Sequence, residues 1–144
     1  MTKILFGLMA VAAGVASAFQ AAANAGLSLR IGLAAALVVN TSIVLLATLG
    51  FYFARVPQES FFGSGAPWSF YVGGICGFFF LLSLALVVPR IGTAVAIALV
   101  VLGQGVAALA IDHYGLMGMP TEPITLARVA GLLLLGGGVA LIRA

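Results

Sequence analysis

Residues Pro89 to Gly115 read PRIGTAVAIALVVLGQGVAALAIDHYG. The stretch opens on a proline and an arginine, continues from Ile91 to Ile111 with Gln104 as its strongly polar side chain, and closes on Asp112 and His113. About 20 residues rising 1.5 Å each span a hydrocarbon core of about 30 Å, so this is a helix that crosses a bilayer. It is several times too long for a strand and too rich in Ala and Gly. Gln104 is its one anomaly. An amide within an apolar span needs a hydrogen-bond partner or a wet cavity.

The rest of the chain shares this character. Of 144 residues, 64% are hydrophobic and 6% charged, too few charges to cover the surface of a soluble domain. The net charge of +3 rests on six basic residues spread singly along the chain, which excludes the basic track that a nucleic-acid partner requires. Cys76 stands alone in an apolar run. It reads as a small buried side chain, and neither an intrachain disulfide nor a metal centre is expected. Nothing pairs a nucleophile with a base or forms a phosphate loop; Gly136-Gly137-Gly138 lacks a following lysine and lies within a span. No enzyme and no cofactor are expected.

Five spans follow, over about 4–25, 31–54, 68–88, 91–111 and 125–142, in a single all-α transmembrane domain. Lys3 and Ala16-Ser17-Ala18 imitate a cleavable signal, but the apolar run continues past them to full membrane length, and we read it as an uncleaved first helix. Small residues at Gly14 and Ala18, at Gly73 and Gly77, and at Gly103 suit close helix packing. Gly26 to Arg30 and Val88-Pro89-Arg90 are the expected short turns. The stretch from Val56 to Pro67 is the first long loop, and Asp112 to Pro123 is the second. Thr125 is the expected cap of the last helix.

Polar side chains inside these spans are the functional candidates. Gln20 and Asn24, four apart, share a face of the first helix; Asn40 lies in the second and Gln104 in the fourth. Such groups are expensive in lipid unless they line something, so the four form a candidate substrate pathway. Asp112 and His113 form a candidate proton or gating pair at the aqueous edge, with a helix-end cap as the alternative. Counted by side, Lys3, Arg55 and Arg128 balance Arg30, Arg90 and Arg143. Three against three gives no orientation bias, so a dimer of oppositely oriented copies is the expectation, and insertion of every copy in one orientation is the open alternative. In it, Gln104 of one copy is expected to approach the depth of Gln20 of the other.

Pro67-Trp68, Gly73-Gly74, Gly77, Pro89-Arg90-x-Gly92, Gly103-Gln104, Asp112-His113-x-Gly115 and Arg128-x-x-Gly131, with FQAAANAGL around Gln20 and Asn24, resemble the YdcZ-type family of small integral membrane proteins. The resemblance covers essentially the whole chain. It implies the drug/metabolite transporter superfamily, the bacterial inner membrane, and a five-helix half-unit of the ten-helix members, paired with a second copy or a homologue. The expected function is transport of a small polar metabolite or drug-like compound. The alternative is a structural or accessory subunit, which needs the same packing but no polar lining. The related small multidrug carriers use an intramembrane glutamate to trade protons for cations. Spans without any carboxylate argue against that route and suit neutral polar solutes.

Overall fold

The computed structural model describes residues 2–55 and 68–143. They form the helices α1 (Thr2–Ile31), α2 (Leu33–Arg55), α3 (Val72–Ile91), α4 (Thr93–Tyr114) and α5 (Leu126–Arg143), with 3-10 turns at Trp68–Tyr71 and Leu116–Gly118. Four of the helices are long and apolar enough to cross a membrane, and α5 is a shorter apolar helix. The all-helical expectation holds. The predicted loop from Val56 to Pro67 lies outside the described residues.

The expected turns at Gly26–Arg30 and at Val88-Pro89-Arg90 are instead helical. Helix α1 runs on to Ile31, and α3 carries Pro89 within its last turn. In hydrocarbon an unpaired backbone group costs several kcal/mol, so a helix persists until a residue can reverse it. That residue is glycine in both places. Gly32 has φ 89° and Gly92 has φ 82° with ψ 159°, a region essentially reserved for glycine. Each glycine closes one helix and opens the next. The Gly32 N–H donates to Ser28 O at 3.0 Å, while the Gly32 carbonyl accepts from Ala36 N at 3.0 Å. Likewise the Gly92 carbonyl accepts from Ala96 N at 3.2 Å. Both breaks carry the same tripeptide, Arg30-Ile31-Gly32 and Arg90-Ile91-Gly92, and in both the alanine four residues on is buried, Ala36 to 1% and Ala96 to 2% exposure. Helices α1 and α3 thus end in the same local device.

The chain divides into two compact units at Pro89 and Arg90. In the first, α1 packs on α2, and Ala21, Asn24, Ala25, Ala36 and Leu37 are buried. In the second, α4 packs on α5. At Gly105 of α4 an added Cβ would stand 2.6 Å from Leu132 Cδ2 of α5. Gly14, Gly73, Gly77 and Gly103 show nothing within 4 Å of an added Cβ, so among the described residues their faces are open. Cys76 is exposed rather than buried, as are its neighbours from Gly73 to Phe79. Thr125 caps α5 as expected, accepting from Arg128 N at 3.3 Å.

Candidate functional site

Two polar clusters stand out, one in each unit. The first is made of amides. Gln20 Nε2 donates to Asn40 Oδ1 at 3.4 Å, joining α1 to α2. Asn24, one turn beyond Gln20, is 6% exposed and is the buried polar residue of the described core. Asn40 Nδ2 is buried and has no hydrogen-bond partner. Hydroxyls in the same helices solve this problem locally: Ser28 Oγ donates to Ala25 O at 2.8 Å and Thr48 Oγ1 to Val44 O at 2.8 Å. An amide has two donors and two lone pairs and cannot be satisfied so cheaply.

The longer α1 changes the depth of this cluster. Had the helix ended near Ala25, Gln20 would sit close to the headgroups. With the break at Gly32, Gln20 lies twelve residues and Asn40 eight residues from it, or about 18 and 12 Å along the helices. Both distances fall near the middle of a hydrocarbon core of about 30 Å. Gln104 belongs to the second unit, exposed on α4, and it follows Gly92 by the same twelve residues.

The second cluster closes the α4–α5 hairpin. Gly115, with φ 59° and ψ 35°, caps α4 in the left-handed conformation, and a Cβ there would also stand 2.6 Å from Thr121 Oγ1. The chain then folds back: Glu122 N donates to Asp112 O at 2.8 Å, and Ile124 N donates to His113 Nδ1 at 3.4 Å. Asp112 and His113, expected at a helix exit, lie in the last turn of α4. Arg128 is brought onto them. Its Nη1 is 3.6 Å from Asp112 Oδ2, and its Nη2 bonds to Glu122 Oε2. A cation in the first turn of a helix opposes the helix dipole, and two carboxylates offset that cost. The Asp112 carboxylate is therefore engaged by an arginine, while Nδ1 of His113 acts as an acceptor. Sequence reasoning missed Arg128 and Glu122 as members of this cluster. The available signal was two acids bracketing a glycine-containing turn, followed by an arginine at the start of the next helix.

The amides can hold an uncharged polar group in the hydrocarbon, and the ionic cluster can tie two helix ends together at an aqueous edge. Compared with known families, residues 5–141 match the model described as "Putative inner membrane exporter, YdcZ". Neither a curated protein nor a solved structure matches the chain.

Proposed function

Because the chain belongs to the YdcZ family of inner-membrane exporters among the drug/metabolite transporters, a transporter rather than an enzyme, we propose that it exports a small polar solute along a path lined by Gln20, Asn24, Asn40 and Gln104. The observation that carries this reading is the Gln20–Asn40 pair, set deep in two apolar spans with a buried amide donor left over. An amide that packing alone placed there would be expected to spend its donors within the protein. A membrane-spanning path supplies the missing partner as water or as solute.

The working unit in this proposal is an antiparallel homodimer. It is supported by the balanced basic residues on the two sides of the span pattern and by the open glycine faces at Gly14, Gly73, Gly77 and Gly137. Asp112 and His113 serve as the gate at the aqueous edge. Their ties to Arg128 and Ile124 set the closed position of the α4–α5 loop.

The test is solute flux from proteoliposomes containing the wild-type chain, Asn40→Leu or Gln104→Leu. The proposal expects flux to fall at least about tenfold in the Asn40 variant. Undiminished flux in both variants removes the amides from the path, and a complete lack of solute flux by the wild type leaves the accessory-subunit reading in its place.

A further inference from the structure

Resting on the transport reading, we infer that the Gln20–Asn40 pair with Asn24 is a binding site for an uncharged solute bearing a carboxamide-type edge, a C=O and an N–H side by side. Three observations converge on it.

The first is the set of valences left open. Gln20 Nε2 gives one of its two hydrogens to Asn40 Oδ1, which leaves Gln20 Oε1 wholly open as an acceptor and the buried Asn40 Nδ2 wholly open as a donor, beside the second hydrogen of Nε2 and the second lone pair of Oδ1. Exchanging O for N in both amides reverses the bond and leaves the same open pair, one acceptor and one donor. A carboxamide presents the complement of that pair. An ammonium group offers only donors, and a carboxylate only acceptors.

The second is charge. Neither Ile4 to Leu29 nor Ile31 to Ala54 contains an Asp, Glu, Lys, Arg or His. An ion held at the depth of Asn40 would have no counter-charge on either helix, and an unpaired charge in such surroundings is heavily penalised. A neutral solute escapes that penalty.

The third is a comparison within the chain itself. Counted from the repeated Arg-Ile-Gly breaks, Gln20, Asn24 and Asn40 correspond to Phe80, Leu84 and Val100. Leu84 is 4% exposed and Asn24 6%, so an equally buried position at an equivalent distance from the break takes a leucine. The helix–glycine–helix device does not require amides at these places. Burying an amide without full hydrogen bonding costs roughly 1–3 kcal/mol, and packing gives no return for it here.

The experiment uses the full chain in lipid nanodiscs, with saturation-transfer NMR to three probes of one skeleton: isobutyramide, isobutyrate and isobutylammonium. Isobutyramide is expected to receive saturation above the level of empty discs, and the two ions are not. Asn40→Leu is expected to weaken isobutyramide by at least about tenfold, the loss of one well-placed hydrogen bond. Val100→Leu, the corresponding position of the other break, is expected to leave binding unchanged. Gln20→Met keeps the side-chain length and removes the other half of the open pair, and it is expected to weaken isobutyramide to a similar degree. That variant decides the matter if Asn40→Leu fails to fold. Equal response to all three probes, no response to isobutyramide, or isobutyramide binding that survives Asn40→Leu overturns the inference. Proteoliposome flux of a charged solute that depends on Asn40 would overturn it while leaving the transport reading intact. Isobutyramide binding without flux of any solute would do the reverse.

Discussion

Arg128 in the first turn of α5 lies 3.6 Å, Nη1 to Oδ2, from Asp112 in the last turn of α4, and the same guanidinium binds Glu122 in the loop between them. One side chain thereby fastens both ends of the hairpin connection. The side chains of Arg128, Asp112 and Glu122 are 34%, 43% and 57% exposed, so water and salt screen the attraction.

Arg128→Gln is expected to destabilise the hairpin by no more than about 1 kcal/mol, the range of exposed ion pairs. Arg128→Lys should recover only part of this, because a lysine cannot serve two carboxylates with a planar fork. Thermal unfolding at low and high salt checks the origin of the effect. The gap between wild type and Arg128→Gln should narrow as salt rises, and a gap indifferent to salt would mean that packing, not charge, holds the clasp.

Gly92→Ala is expected to cost about 1–3 kcal/mol, since φ 82° with ψ 159° is closed to a residue with a Cβ. Space does not set this penalty, for nothing lies within 4 Å of an added Cβ at Gly92 or at Gly32. Denaturant titration of the purified protein gives the value. Stability equal to wild type would mean that the break can move to a neighbouring residue.

Gly105→Ala is penalised by space instead. Its methyl group would stand 2.6 Å from Leu132 Cδ2, the end of a flexible side chain that must shift, and a net cost of no more than about 1 kcal/mol is expected once the helix preference of alanine offsets part of the overpacking. The double variant with Leu132→Ala should be more stable than the sum of the two single changes predicts, which a double-mutant cycle measures directly.

Gly137→Ala distinguishes lipid from a second copy. Gly137 is helical with open space around an added Cβ, so within one chain alanine should stabilise α5 by up to about 1 kcal/mol. If the antiparallel partner seats on this face, the same change should instead weaken dimerisation, read by single-molecule photobleaching in bilayers. An unchanged dimer fraction would place the seam elsewhere.

Residues 91–111 show how much of the fold local composition carries. Apolar length is a sum over residues, and hydrocarbon thickness sets the threshold that the sum must pass, so the membrane-spanning helices and the odd amides within them are legible directly. Thr125 is legible as a cap for a similar reason, because capping is local. The ends of α1 and α3 are not. Arg30 and Pro89 look like turn residues by ordinary preference, but lipid penalises early fraying, and both helices run on to a glycine that can take positive φ.

The sequence by itself determined that this protein is a chain of apolar helices in a membrane with amides where lipid should be, because each of those properties belongs to single residues and short windows. Only the tertiary structure decided that Gln20 meets Asn40 rather than a headgroup, and that Asp112 is held by Arg128. Those pairings depend on which residue ends each helix and how the chain returns after Gly115, and a shift of a few residues at a break moves every side chain beyond it by a turn or more.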